Sequence, residues 1–267
     1  MTHIDTAYEN AQPCNVLIVG GAVGGRVAAH CYARNGNQVI IADINVEDGQ
    51  ELTNHLNQRY SNGASFYESD ATDPLGVEQL CRNIKRDFGY LNHVVSVVGG
   101  SLHSDWQGLE KGALADIENT TRLNLLSHQY VMRYTKALLV ACPDTNRSIA
   151  LMGSINALRG FDLPAYSAAK AGMSGLMYGA AREYTMAHGI RINIVAPGTT
   201  MSERTKKLPK NTEILMSHAL LPDMPDPEEI AEALYTLTHR LPHCTQQMLV
   251  IDSGQTAYGP PHNLLYE

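Results

Sequence analysis

Residues 16–26 read VLIVGGAVGGR, an apolar run that passes directly into a cluster of glycines. Because the run offers no polar face to water, it predicts a parallel strand that is covered on both sides. The residues that follow, Arg26 to Asn35, are helix-like. A strand, a glycine turn and a helix in this order predict the first unit of a doubly wound α/β sheet.

The same alternation of short apolar runs and helix-like segments continues along the chain. The strand-like runs are Val16 to Val19, Val39 to Ala42, Val94 to Val98, Ser148 to Met152, Arg191 to Ala196 and Met248 to Ile251. The helix-like segments include Arg26 to Asn35, Asp73 to Phe88, Ile117 to Cys142 and Ser167 to His188. The pattern predicts a single-domain α/β fold, a doubly wound parallel sheet with helices on both faces.

The domain is expected to span residues 14–258. Residues 1–13 are mostly polar and predict a flexible N-terminal arm, and residues 259–267 are expected to form a C-terminal tail. Within the domain, residues 199–227 carry several prolines and match neither pattern. An irregular segment of that length predicts a lid over a substrate.

The composition argues against several classes of protein. A formal net charge of −7 over 267 residues opposes binding to nucleic acid or to an anionic membrane, both of which need a basic surface. The five cysteines are widely spaced and include no Cys-x-x-Cys pair, so neither a disulfide framework nor a structural zinc site is expected. With no run of 18 apolar residues, we expect a cytoplasmic protein without a membrane span.

The glycine cluster is a candidate binding site for a dinucleotide. Gly20, Gly21, Val23 and Gly24 are expected to bring backbone amides to a pyrophosphate at a helix N-terminus, where the helix dipole favours negative charge. The spacing is irregular, because Val27 stands where a third glycine would be expected. A glycine cluster is weak evidence alone, so the interpretation depends on the strand before it and the helix after it.

Asp43 ends the second strand-like run and predicts a preference for NAD. A carboxylate at this place accepts hydrogen bonds from the ribose hydroxyls and repels the 2′-phosphate of NADP. The nearby cations Arg26 and Arg34 keep NADP open as an alternative.

Asp70 and Ala71 follow the expected third strand and are candidate contacts of the adenine. The alternative is that this segment only starts a helix, with Asp73 as the N-cap residue and Pro74 at the first helical position.

Tyr166 and Lys170 lie one helical turn apart and are candidates for a proton-transfer pair. A phenol is a poor base at neutral pH unless a nearby cation stabilises its phenolate, and Lys170 supplies that charge. A Tyr-x-x-x-Lys pair is common by chance, so its surroundings decide. Ser154 closes the strand-like run before the pair, and Asn124 lies in the preceding helical segment.

Three stretches of the chain resemble the short-chain dehydrogenase/reductase (SDR) family. They are YSAAKAG at residues 166–172, HGIRINIVAPG at residues 188–198 and IDSG at residues 251–254. The resemblance spans residues 14–258 and is closer in the second half of the chain. It implies a Rossmann fold and an oxidoreductase that uses a nicotinamide cofactor.

The resemblance also implies roles for single residues. Ser154 would hold the substrate oxygen at Tyr166, Lys170 would bind the nicotinamide ribose, and Asn124 would hold a water that links Lys170 to solvent. The further cofactor contacts that it implies are Gly99, Pro197, Gly198 and Thr200.

One stretch departs from the family pattern. Residues 96–99 read SVVG where the family usually has Asn-Asn-Ala-Gly. The usual side-chain brace of the central sheet is therefore expected to be absent, although the Gly99 backbone can still approach the cofactor.

The histidines suggest two further kinds of site. His239, His243 and Cys244 are close in sequence, but Pro242 interrupts any helix that would align them, so no metal site is expected. His93, His103, His128 and His218 are candidates for a substrate pocket, with a structural role as the alternative for each.

We expect an NAD-dependent enzyme, a homotetramer or homodimer, that interconverts a secondary alcohol and a ketone on a small or medium organic substrate. Tyr166 is expected to act as the general acid/base. The alternatives are an NADP-dependent carbonyl reductase and a non-catalytic cofactor-sensing protein of the same fold. An isomerase or dehydratase of this fold would keep the site without a net change in NADH.

Overall fold

The computed structural model describes residues 13–159, 163–201, 216–217 and 219–257. The expected N-terminal arm, apart from Pro13, lies outside these residues, as does the expected tail. Of the expected lid, residues 202–215 and 218 also lie outside them.

A seven-stranded parallel sheet forms the centre of the described domain, with strand order β3-β2-β1-β4-β5-β6-β7. The strands are β1 (Asn15–Val19), β2 (Gln38–Asp43), β3 (Ala64–Glu68), β4 (His93–Ser96), β5 (Arg147–Met152), β6 (Ile190–Pro197) and β7 (Met248–Ile251). All neighbouring pairs run parallel. Since the chain winds outward in both directions from β1, a crevice opens at the carboxyl ends of β1 and β4.

Helices cover both faces of this sheet. They are α1 (Val23–Arg34), α2 (Val46–Arg59), α3 (Pro74–Phe88), α4 (Gly108–Lys111), α5 (Leu114–Thr121), α6 (Ser127–Val140), α7 (Pro164–Gly179) and α8 (Pro227–Tyr235). Single π-helical turns follow α5, α7 and α8, at Arg122–Leu126, Arg182–Met186 and Thr236–Arg240.

The buried side chains of β1 alternate between two hydrophobic cores. Leu17 and Val19 pack with residues of α3, α6 and α7, whereas Val16 and Ile18 pack with residues of α1, α2 and α8. Because both sides of the strand are covered, nearly every residue in it is apolar. The doubly wound α/β fold predicted from the sequence is confirmed.

Several boundaries differ from the predicted ones. The strand predicted at Val94 to Val98 ends at Ser96, and the chain then turns through Gly99 and Gly100, which both have a positive φ. The helix predicted at Ile117 to Cys142 begins at Leu114 and contains a π-helical turn. Apolar periodicity does not register a left-handed turn or a π turn, so the sequence could not place either.

The segment after β3 starts a helix in the way the alternative interpretation predicted. Asp73 caps α3, with its carboxylate accepting the N–H groups of Leu75 at 3.0 Å and Gly76 at 3.1 Å, and Pro74 occupies the first helical position. Within the described residues, no helix is long and apolar enough to cross a membrane.

Candidate active site

Tyr166 and Lys170 both lie on α7, which begins at Pro164. Their spacing of four residues puts both on one face of the helix, and the Lys170 Nζ lies 5.9 Å from the centroid of the Tyr166 ring. Tyr166 is half-buried, whereas Lys170 is only 2% exposed. Lys170 therefore faces into the protein, whereas part of Tyr166 stays accessible.

Lys170 is held against the end of β5. Its Nζ donates a hydrogen bond to the carbonyl oxygen of Met152 at 2.9 Å. Burial lowers the pKa of Lys170 to about 7, because the charged ammonium loses water in this position. A lysine whose pKa lies near neutrality can change its charge in response to a neighbouring proton transfer.

Asn124 lies in the π-helical turn between α5 and α6 and is fully buried. Its Oδ1 accepts the N–H of Gly100 at 2.8 Å, and its Nδ2 donates to the carbonyl oxygens of Gly100 and Thr120, both at 3.0 Å. The amide thus ties the turn after β4 to the helix beside α7. π-Helical turns of this kind occur frequently at functional sites.

Gly99 is the point where Asn124 and Lys170 meet. A Cβ added at Gly99 would lie 2.6 Å from the Asn124 Oδ1 and 2.9 Å from the Lys170 Nζ. Gly99 also has a φ of +137°, which residues with a side chain rarely adopt. The position therefore requires glycine, and the backbone there lies next to both predicted catalytic side chains.

Ser154 follows β5 and is 8% exposed. Its hydroxyl accepts the N–H of Asn156 at 3.2 Å and so caps the short 3-10 turn Ile155–Ala157. Because Ser154 comes two residues after Met152, it lies at the carboxyl edge of the sheet, where the Lys170 ammonium is bound.

The glycine loop and Asp43 are in direct contact. The Gly21 N–H donates to Oδ2 of Asp43, and the Asn45 N–H donates to Oδ1 at 2.7 Å. Gly20 has a φ of +99°, and its N–H donates a hydrogen bond to the carbonyl oxygen of Ala42 at 2.8 Å. A carboxylate has about four acceptor sites, so these two bonds leave capacity for ribose hydroxyls. The loop, the start of α1 and Asp43 together fit the adenosine and pyrophosphate of a dinucleotide.

Gly25 lets α1 pack closely on the glycine loop. The sequence pattern had placed the third glycine of the loop at the position of Val27. A Cβ at Gly25 would overlap the carbonyl oxygen of Gly20, so α1 can pack this closely on the loop only with glycine there. The third glycine is therefore present at Gly25, and Val27 is not its place. By contrast, a Cβ at Gly24 would have only Met152 Cε within 4 Å, at 3.7 Å, and Val23 is 48% exposed on the first turn of α1.

Asp70 and Ala71 lie after β3. Asp70 Oδ1 accepts the N–H and the hydroxyl of Thr72, both at 2.8 Å, and Ala71 packs into the core beside α3. These bonds form a local turn ahead of the helix, and the contact with an adenine stays a prediction.

The turn after β6 is braced by residues near the end of the described chain. Gly198 donates its N–H to Ile251 at 2.8 Å, and a Cβ at Gly198 would lie 2.7 Å from the Cβ of Asp252. Gln255 accepts the Thr199 N–H at 2.8 Å. Gln255 was not predicted as a site residue, and nothing in its local sequence marks it.

The same turn carries the two remaining predicted cofactor contacts. Pro197 is the last residue of β6, and the Thr200 hydroxyl donates to the carbonyl oxygen of Gly198 at 3.1 Å. Both lie at the carboxyl edge of the sheet, on the same side as Ser154.

A side-chain brace of the central sheet is present, in a form that the sequence analysis did not anticipate. The Ser96 hydroxyl and Nδ1 of His128 lie 2.8 Å apart, and both side chains are fully buried. Burial holds the pKa of His128 well below its usual range, so its imidazole is neutral.

Two of the four histidines predicted as pocket candidates, His93 and His128, are fully buried, so neither is exposed to a substrate. Of the other two candidates, His103 is exposed and His218 lies outside the described residues.

Comparisons with known proteins identify the family of the chain. A family model described as enoyl-(acyl carrier protein) reductase matches residues 23–256. The 3-oxoacyl-[acyl-carrier-protein] reductase of Bos taurus is 28% identical over 239 residues, which cover 89% of this chain and 95% of the relative. An uncharacterized oxidoreductase of Thermotoga maritima is 29% identical over 262 residues, which cover 93% and 99%.

Among solved structures, an oxidoreductase of the short-chain dehydrogenase/reductase family from Burkholderia thailandensis superposes with a TM-score of 0.81 at 24% identity. The superposition covers 93% of this chain and 95% of that one. The chain belongs to the short-chain dehydrogenase/reductase family, as its motifs predicted. It is an NAD(P)-dependent oxidoreductase of the kind that acts on CH–OH groups.

Proposed function

We propose that this enzyme interconverts a secondary alcohol and a ketone with NAD, on a small or medium organic substrate. One observation carries the proposal: the side chains of Lys170 and Asn124 both approach the backbone of Gly99. Tyr166 lies on the same face of α7 as Lys170. Burying the amide of Asn124 and the ammonium of Lys170 at one point of the carboxyl edge is costly, and a proton-transfer function with the adjacent Tyr166 accounts for it.

Each residue has a defined task in this proposal. The Ser154 hydroxyl binds the substrate oxygen, and the Tyr166 phenol takes the proton from the alcohol or returns it to the ketone. The Lys170 ammonium stabilises the negative charge that forms on the phenolate oxygen. Asn124 positions the Gly100 backbone and so fixes the turn through Gly99. The bound nicotinamide supplies or accepts the hydride.

Asp43 supports NAD as the cofactor over NADP. Its carboxylate accepts the N–H of Gly21, which fixes it beside the loop that faces the adenosine. A 2′-phosphate in that place would meet the negative charge of Asp43, and the two nearby arginines of the sequence are engaged elsewhere, Arg26 with Glu51 at 3.7 Å and Arg34 with Glu232.

The experiment follows the absorbance of NADH while the enzyme is incubated with a panel of secondary alcohols. We expect NADH to form with at least one alcohol, and Tyr166→Phe to lower kcat by about a thousandfold or more while NADH binding is kept. Tyr178→Phe is the matched control, since Tyr178 lies on the same helix and is 58% exposed.

The outcomes separate the alternatives. Full turnover by Tyr166→Phe would overturn the proton-transfer assignment. Cofactor binding without any turnover would support the cofactor-sensing protein, and product without a net change in NADH would support an isomerase or dehydratase. Tighter binding of NADP than of NAD would favour the carbonyl reductase.

We also propose that the chain assembles as a homotetramer through α6 and α7. A groove between these helices is lined by Tyr130, Arg133, Gly175 and Gly179, among others, and a Cβ at either glycine would meet nothing within 4 Å. Gly179→Trp is expected to lower the mass measured by light scattering, whereas Leu75→Trp, at an exposed position of α3, should leave it unchanged.

A further inference from the structure

Three potential metal ligands come together at the edge of the sheet that lies opposite the active site. Cys14 directly precedes β1, His93 is the first residue of β4, and His239 lies in the π-helical turn after α8. All strands are parallel, so this amino-terminal edge is separated from the Lys170 edge by the length of a strand. For the five residues of β1, that length is roughly 16 Å.

The three side chains can each present one ligand atom to a common point. The Cys14 sulfur and one ring nitrogen from each histidine all lie within 4.8 Å of one another. The centroids of the two imidazole rings are 4.3 Å apart. Cys14 is 8% exposed, His93 is fully buried and His239 is half-buried. Among the described residues, these are the three His, Cys, Asp or Glu side chains whose possible ligand atoms come this close together.

His93 carries an independent sign that something is bound there. Its Nδ1 is fixed by the Ser148 hydroxyl at 2.8 Å, while its Nε2 is buried and has no hydrogen-bond partner among the described residues. A buried polar atom without a partner destabilises the folded protein. An imidazole with one nitrogen held by a hydroxyl and the other buried without a partner has the arrangement of a metal-binding histidine.

We propose that Cys14, His93 and His239 bind one thiophilic transition-metal ion, Zn²⁺ or Cu⁺. Thiolate and imidazole are the ligands that these two ions favour. At metal–ligand distances of about 2.0–2.3 Å, ligand atoms lie roughly 3.3–3.8 Å apart, so separations of up to 4.8 Å must close by up to about 1.5 Å. The thiol proton of Cys14 leaves to solvent when the metal–sulfur bond forms.

Polar neighbours orient both histidines. The Ser148 hydroxyl holds His93, and His239 has the Thr238 hydroxyl 2.9 Å from its Nδ1 and Asn37 Oδ1 3.1 Å from its Nε2. A metal bound through Nε2 of His239 replaces the hydrogen bond between that nitrogen and Asn37. Asn37 Oδ1 lies 3.1 Å from the His239 Nε2 and 3.3 Å from the Cys14 nitrogen, which makes it the available fourth ligand for a tetrahedral ion.

Charge distinguishes the two ions. A Cu⁺ ion bound to one thiolate and two neutral imidazoles forms a site without net charge, and three ligands are enough for it. A Zn²⁺ ion with the same ligands leaves the site with one positive charge. The guanidinium of Arg191 already carries a positive charge close by, and it is bound by the carbonyl oxygens of Leu237, Thr238 and Cys244. The arrangement therefore suits Cu⁺ better and requires Asn37 for Zn²⁺.

No metal site was predicted at His239, because its neighbours in sequence, His243 and Cys244, cannot align with it across Pro242. The proposed ligands are instead distant in sequence and are brought together by the parallel order of β1 and β4. A motif search cannot find such a set, because no fixed spacing connects its members.

The test uses the whole chain, stripped of metal and titrated with each ion against a chromophoric chelator, with Cu⁺ under anaerobic conditions. We expect one equivalent of at least one ion to bind with a submicromolar Kd. Cys14→Ser and His93→Gln should each weaken binding by about 100-fold or more. Cys81→Ser and His30→Gln are the controls, since Cys81 is buried in the other core and His30 is half-buried against His55 and Tyr60.

A second measurement does not depend on the folding of a variant. X-ray absorption at the metal edge of the loaded wild-type protein should show one sulfur and two imidazole ligands. Failure of both ions to bind with a Kd below the micromolar range would overturn the proposal. A metal site without sulfur, or undiminished binding by a folded Cys14→Ser variant, would do the same.

Discussion

Ser96 and His128 form a hydrogen bond, 2.8 Å from hydroxyl to Nδ1, that joins the end of β4 to α6 directly below the turn through Gly99. The family usually has an asparagine at the position of Ser96. Here a shorter serine is matched by a histidine that reaches from the neighbouring helix. The substitution in the motif therefore preserves a polar connection between sheet and helix.

This pair predicts strong coupling between two mutations. Ser96→Ala should lower the free energy of unfolding by about 1–3 kcal/mol, because it leaves a buried imidazole nitrogen without a partner. His128→Leu in the Ser96→Ala background should cost much less than in the wild type, which urea denaturation of the four proteins will measure. Purely additive effects would show that the hydrogen bond contributes nothing beyond packing.

Alanine variants at Gly99 and Gly100 distinguish the effect of a steric overlap from the effect of backbone strain. Both have a strongly positive φ, +137° and +146°, but a Cβ at Gly100 would meet nothing within 4 Å. Each alanine variant therefore carries the conformational cost, of order 1–3 kcal/mol. Only Gly99→Ala displaces Asn124 and Lys170.

We expect Gly99→Ala to lower kcat/KM by about 100-fold or more, since small displacements of catalytic groups have effects of that size. Gly100→Ala should lose stability but keep most of its activity. Steady-state kinetics and thermal unfolding of both variants check this. Equal losses of activity would mean that strain, and not the overlap with Asn124 and Lys170, sets the requirement.

Gly24 and Gly25 provide a similar comparison in the glycine loop. Gly25→Ala places a methyl group against the Gly20 carbonyl, so we expect a loss of about 3 kcal/mol or more, or failure to fold. Gly24→Ala adds a helix-favouring residue with room around it and should be neutral or slightly stabilising. Chemical denaturation decides, and similar stabilities for the two variants would contradict the packing of α1 on the loop.

The sequence predicted the fold because its signals are local. Apolar runs marked six of the seven strands to within two residues, and the Tyr166–Lys170 spacing is fixed by helix geometry alone. What it could not show are contacts between distant segments. The brace at Ser96, the support of Gly198 by Gln255 and the approach of Gly25 to Gly20 each depend on how packed elements meet. No periodicity or motif spacing encodes those distances.

Asp43→Asn should change which cofactor is preferred. The amide can still accept the Gly21 N–H but no longer repels a 2′-phosphate. We expect the ratio of the Kd for NADP to the Kd for NAD to fall by about tenfold or more, equivalent to about 1.4 kcal/mol. Fluorescence titration with both reduced cofactors measures it. Glu47→Gln, which removes an exposed carboxylate on α2, should leave the ratio unchanged, and a similar change there would indicate only a general effect of net charge.

Lys170 should make stability depend on pH in a direction that its burial fixes. The pKa of Lys170 is about 7 in the folded protein, against about 10.4 in an unfolded chain. Between these values the unfolded state binds one more proton, so the folded state gains stability as pH rises. Relative to Lys170→Met, the wild type should therefore become more stable by up to about 1.4 kcal/mol per pH unit from about pH 7 to pH 10, and the difference should level off below pH 7.

Urea denaturation at several pH values tests this dependence of stability on Lys170. Lys111→Met, which removes an exposed lysine on α4, is the control for the loss of one positive charge. A difference that stays constant across this range would show that the buried ammonium keeps its proton, and that Lys170 then acts as a fixed positive charge beside Tyr166.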